Sequence, residues 1–264
     1  MKHLGTIAGR ELRSMFVSPM AYVVLTLFSV LAGFLFFVSV LGFDAQIVQV
    51  QQLQAYEYLA KINLNDDLLA PFYQVIWVVM LFLIPAVTMG LFANEKAQGT
   101  QELLFTSPIT VWELVIGKFL AAAIFVLLLV ALLALFPLIL LIYGDPELGK
   151  IGAGLLGMVL IGFVYAAIGA FASSLTQNQL IAFFLAFFLL LVLLMLGFLA
   201  ELGAAGGAVS GEGVSGVLRW LSTAEHFESM LMGLIDTKDL VYFGAMSAAF
   251  LVLTKAAVES VRWR

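Results

Sequence analysis

Nucleophilic catalysis needs a hydroxyl or thiol beside a base. This chain has no cysteine and two histidines, His3 and His226. Thiolate metal sites, cysteine nucleophiles and disulfides are therefore excluded. One stretch has hydrolase-like spacing: Gly213-Val214-Ser215-Gly216, followed by His226. An intramembrane serine hydrolase would need that serine and histidine on packed helices, so that the imidazole can take the hydroxyl proton. Ser215 falls instead in the glycine-rich run 203–216, which reads as a flexible connection. No His-Glu-x-x-His occurs, so that zinc-protease pattern is absent. Gly117-Lys118 is followed by Phe119, and Gly149-Lys150 by Ile151. Neither supplies the Gly-Lys-Ser/Thr that cradles phosphate and holds magnesium. The chain is expected to catalyse nothing and to bind no cofactor.

The elements around these residues are membrane elements. Hydrophobic residues make up 63% of the chain and charged residues 11%, against about 45–50% and about 25% in soluble domains. Mean hydropathy is +1.11. The net charge of −5 implies no general attraction to nucleic acid. A span takes about 20 apolar residues, and uncharged runs predict six, over residues 20–43, 72–92, 119–143, 151–172, 180–200 and 240–258. The predicted fold is an all-α polytopic membrane protein with a single transmembrane domain over 1–264. The turn between spans four and five falls in the polar piece 173–179. Span four carries small residues at Gly162, Ala166, Gly169 and Ala170, a spacing that lets helices approach closely. None of the spans holds an ionisable residue away from its ends, which argues against a proton-coupled carrier.

Two amphipathic segments stand apart from the spans. Residues 2–16 place Leu4, Ile7, Leu12 and Phe16 near helical spacing, with Arg10, Glu11 and Arg13 mostly opposite, as in a helix lying in the membrane surface. Residues 214–235 mix apolar and charged positions and predict short helices dipping into the outer leaflet. With six spans both termini share a side, which holds eight Lys and Arg residues against four on the other. That side is expected to be cytoplasmic.

The connection between spans two and three is longer than a simple link requires. It runs Glu95-Lys96-Ala97-Gln98-Gly99-Thr100-Gln101-Glu102-Leu103-Leu104-Phe105-Thr106-Ser107-Pro108-Ile109. Gly99 breaks the preceding helix, Thr100 suits a helix start, Glu102 suits a first turn, and Pro108 ends the segment. A short helix of mixed polarity there is a docking surface for another protein.

The order Glu95, Gly99-Thr100, Glu102-Leu103-Leu104, Ser107-Pro108-Ile109 and Gly117-Lys118 resembles permease subunits of type-2 ABC exporters. The tail, with His226-Phe227, Gly233-Leu234-Ile235-Asp236, Asp239-Leu240-Val241-Tyr242-Phe243 and Arg262-Trp263-Arg264, is most similar to the gliding-motility-type branch. The resemblance implies a bacterial cytoplasmic membrane, a separate ABC ATPase that carries ATP and magnesium, and a second permease chain, identical or homologous. It assigns ATPase coupling to Glu95, Gly99, Thr100, Glu102, Leu103, Thr106 and Pro108 and to the N-terminal surface helix. A non-transporting membrane anchor or signalling partner of an ATPase is the alternative; a hydrolase using Ser215 is a more distant one.

Overall fold

The computed structural model describes residues 4–59, 61–100, 110–206 and 212–260, which are helical throughout with short turns and contain no strand. The region 101–109, where Glu102, Leu103, Thr106, Pro108 and the expected coupling helix fall, lies outside the described residues.

Helix α1 (Leu4–Val17) comes first. Ser18 caps α2 (Pro19–Gln52), its hydroxyl accepting from the Met20 amide at 3.3 Å. Pro19 at the helix start needs no hydrogen bond there, so the chain turns sharply from α1 into the first span. α2 continues well past Phe43, because nothing breaks a helix until Gln54, where φ is 53°. A short α3 (Tyr56–Leu59) and a π-helical turn, Leu64–Leu69, lead into α4 (Ala70–Thr88) and α5 (Gly90–Ala97). Span three is α6 (Val111–Leu133), continued by α7 (Leu135–Tyr143). α6 starts with a capping box: the Thr110 hydroxyl accepts from the Glu113 amide at 3.2 Å, and the Glu113 carboxylate accepts from the Thr110 amide at 3.2 Å. α8 (Leu148–Leu175) and α9 (Gln179–Gly206) form a tight hairpin, with the Asn178 carboxamide accepting from the Leu180 amide at 2.9 Å. α10 (Glu212–Leu221), α11 (Thr223–Leu231) and α12 (Thr237–Ser260) complete the chain.

Six of these helical stretches are long and apolar enough to cross a membrane. α8 is the central one, packed by α4, α6, α9, α11 and α12. Its small residues explain why. A Cβ at Gly162 would collide with Val126 of α6 and approach Met80 of α4, and one at Gly169 would collide with Thr88 of α4. Ala166 and Ala170 are fully buried on the same helix. The peripheral α2 exposes Tyr22, Val23, Leu27, Val30, Phe34 and Phe37 at helical spacing, a face for lipid or protein. Lys255, near the end of α12, reaches Glu259 at 3.2 Å and lies 5.3 Å from the Trp112 ring centroid on α6.

The glycine-rich run departs from the sequence reading. Residues 203–206 belong to α9 and 212–216 to α10, so the flexible connection expected over 203–216 is largely helical. Glycine weakens a helix without forbidding it, and apolar residues on either side carry the helices onward. The short helices expected before the last span are α10 and α11.

Candidate functional site

The strongest concentration of charge inside the bundle lies where α1, α5 and α6 meet. It begins with a helix break. Pro85 sits inside α4, and the helix is interrupted at Met89 before restarting as α5. Such a break frees main-chain polar groups that must find other partners. Ser173, fully buried on α8, meets three of them: its hydroxyl donates to the Met89 carbonyl at 2.7 Å and accepts from the Phe92 and Ala93 amides at 3.0 and 3.1 Å. Lys96 reaches back to the Ser174 carbonyl at 2.5 Å.

Lys118 meets a fourth. It is 1% exposed, and its ammonium donates to the Leu91 carbonyl at 2.5 Å. It also lies 2.9 Å from Glu95 Oε1 and 3.1 Å from Glu11 Oε1. An ammonium has three protons, and here three acceptors surround it. The Phe92 ring closes the remaining side, 5.2 Å from its centroid. From the solvent side Arg10 bridges the same two carboxylates, at 2.9 Å from Glu11 and 3.4 Å from Glu95. Two cations and two anions balance, which is what makes burying the lysine tolerable.

Apolar packing locks the same junction. Ile7 and Ala8 of α1 are buried, and a Cβ on Gly117 would lie 2.7 Å from Ile7 Cγ2, so glycine there lets α1 sit against α6. Leu4, Leu12 and Phe16 are half-buried, and the Phe16 ring meets Tyr22 and Phe125 at 5.8 and 6.2 Å. Arg10 and Arg13 are exposed. Thus part of the apolar face of α1 packs on protein.

Of the residues singled out from the sequence, Glu95 and Arg10 are brought together. Gly99 and Thr100 close α5: Gly99 has φ 67°, its amide donates to the Lys96 carbonyl at 3.3 Å, and the Thr100 amide donates to the Glu95 carbonyl at 3.1 Å. That is a Schellman closure, which needs a left-handed residue that glycine supplies without strain. Within the described residues Thr100 therefore ends a helix. Sequence reasoning did not place Lys118 and Glu11 in the site. A lysine one turn into a span that is otherwise uncharged was the available signal.

His226, weighed above as a catalytic base, is occupied on both ring nitrogens. Nδ1 is 2.6 Å from Asp239 Oδ1, and Nε2 is 3.1 Å from the Trp220 carbonyl. It has no nitrogen left to activate a serine.

No curated protein matches the chain. A family profile described as ABC-2 family transporter protein matches residues 6–260, which takes in α1, all six membrane-length helices and the charged junction. The chain therefore belongs to the ABC-2 family of transporter proteins and is a multi-pass membrane permease of that family.

Proposed function

We propose that this permease is the membrane half of an ATP-driven exporter of the gliding-motility-type branch, in a bacterial cytoplasmic membrane with both termini in the cytoplasm. A separate ABC ATPase, carrying ATP and magnesium, docks on residues 95–108 and α1, and a second permease chain completes the pore. Glu95, Gly99, Thr100, Glu102, Leu103, Thr106 and Pro108 carry mechanical force and do no chemistry.

The observation that carries the reading is the Lys118 junction. It ties α1, the start of the long connection and span three into one body through a buried ammonium with every proton used. A push applied to the connection would therefore be passed to α6 and, through Ser173, to α8. Eight of the twelve Lys and Arg residues fall on the side of this junction, as expected for a cytoplasmic face.

The test is Glu102→Lys. ATPase activity of the reconstituted complex and pull-down of the ATPase should fall together while the permease still inserts, because like charges oppose docking. Wild-type binding and stimulation would remove this connection as the coupling element.

A further inference from the structure

The other face of the bundle holds a second buried charged cluster that the coupling role does not use. His226 on α11 is 6% exposed, and Asp239 at the start of α12 is fully buried. Their side chains approach to 2.6 Å. The second carboxylate oxygen of Asp239 lies 2.5 Å from the Ser229 hydroxyl. The Tyr242 ring stacks on the imidazole at 4.0 Å, and its hydroxyl donates to the Leu221 carbonyl at 2.7 Å.

Counting protons settles the state of this cluster. The Trp220 carbonyl can only accept, so Nε2 must carry a hydrogen. A second proton must then lie between Nδ1 and Asp239 Oδ1, whichever of the two holds it. Without it, a ring lone pair would face a carboxylate at 2.6 Å. Shifting the remaining ring hydrogen to Nδ1 would relieve that contact but turn a lone pair toward the Trp220 carbonyl. Loss of one proton therefore breaks one of the two bonds. The bond to α10 is the neutral and weaker one.

We propose that His226 and Asp239 form a proton-held latch: the proton they share joins the end of α10 to α11 and α12, and its loss releases α10. The link between α10 and α11 is Ser222, which lines a cavity of about 460 Å³ together with Trp77, Leu194, Phe198, Glu225 and Glu228. Releasing α10 loosens the mouth of that cavity. The seat of α11 is itself imperfectly satisfied. Among the described residues four buried side-chain atoms have no hydrogen-bond partner: both polar atoms of Asn65 and the hydroxyls of Tyr73 and Thr223. Thr223 belongs to α11, while Asn65 and Tyr73 border a small cleft with Leu231 of α11. Groups left dry in the closed state favour a state that admits water.

The groups around the latch define its response. Asp239 and Tyr242 face His226 from α12, and the Trp220 main chain faces it from α10. On α8, Lys150 is engaged by Asp66 at 2.8 Å and Glu147 at 4.0 Å. Glu225 and Glu228 of α11 are exposed. α9 and α10 also carry Glu201, Glu212 and Arg219 in the sequence. Because the closed form holds the extra proton, acid favours closure and alkali favours release.

The absence of native cysteine allows spin labels at Val217→Cys on α10 and Val241→Cys on α12, both exposed positions. Pulsed dipolar distances are measured in nanodiscs at about pH 6 and about pH 9, on either side of the usual histidine range. The otherwise unaltered chain should show one narrow distance in acid and a broad distribution in alkali. His226→Ala should be broad at both. Asp239→Asn should be narrow at both, because the amide donates to Nδ1 of a neutral ring while Nε2 still donates to Trp220 and the amide oxygen accepts from Ser229. Identical distributions at both pH values without a latch substitution would overturn the latch. So would a pH response in Asp239→Asn matching that of the unaltered residue.

Discussion

Lys118→Met keeps the side chain's apolar stem and deletes its three donors. The Leu91 carbonyl then loses its ammonium partner, and Glu11 and Glu95 keep only Arg10, which is more than half exposed. Removing one member of a buried ion pair costs about 3–5 kcal/mol, because the remaining charges stay desolvated. The loss should appear locally, as lifting of α1 from α6, since the spans themselves keep their packing. At about 1.4 kcal/mol per factor of ten, the lifted population should rise roughly a hundred- to several-thousand-fold, until it saturates. Ala8→Cys reports this directly. Ala8 is 6% exposed, and the chain has no other thiol. When opening is fast relative to labelling, the rate of maleimide modification follows the open population. Adding Glu95→Gln to Lys118→Met should recover part of the loss, with a coupling of about 1–3 kcal/mol for residues in direct contact. If Ala8→Cys stays as protected in Lys118→Met as in the parent, α1 is held by Ile7 and Phe16 packing and the charge junction contributes nothing to it.

Two further outcomes follow from the same geometry. Cysteines at Thr100 and Asn178 should label from the face that carries α1, and cysteines at Asp66 and Asp145 from the opposite face, as thiol modification of sealed vesicles would read; labelling of Asn178 together with Asp66 would break the six-span topology. Gly99→Ala places a side chain at φ 67°, which costs about 1–2 kcal/mol. Exchange of the Thr100 amide, now bonded to the Glu95 carbonyl, should accelerate roughly 5- to 30-fold, and unchanged protection would mean that the Schellman closure does not hold α5.

The helical fold was legible because its signal is collective. Runs such as 20–43 and 151–200 contain no charge, and lipid permits few structures other than helices there. Helix ends were less legible. α2 runs to Gln52 because polar residues beyond the membrane can stay helical, and hydropathy cannot register that. The glycine-rich run misled for a related reason: composition reports a weak preference, and neighbouring apolar residues overrode it at 203–206 and 212–216. Individual site residues were partly legible. Glu95 and Arg10 were singled out from pattern and resemblance, but their meeting depends on a lysine 23 residues after Glu95 and on α1 folding back against Gly117. Such long-range pairing leaves no local periodicity. The His226–Asp239 pair was hidden in the same way: thirteen residues separate the two, across the turn between α11 and α12.

The two faces differ in how completely their polar groups are matched. On the face of α1, a broken helix would ordinarily be a weak point, yet Ser173, Lys96 and Lys118 meet the carbonyls and amides of the break one by one. Opening any part of that face discards several bonds at once, so α1, α5, α6 and the adjacent end of α8 should move together. The opposite face carries a π-helical turn, unmatched atoms on Asn65, Tyr73 and Thr223, and a contact that depends on one proton. Each unmatched buried group costs about 1–3 kcal/mol while it stays dry, so opening there recovers part of what it loses. On the proposed reading, force entering at residues 95–108 meets little slack near its point of entry and is relieved at the seat of α11. A rigid input joined to a yielding output is the mechanical arrangement that a lever-driven permease requires.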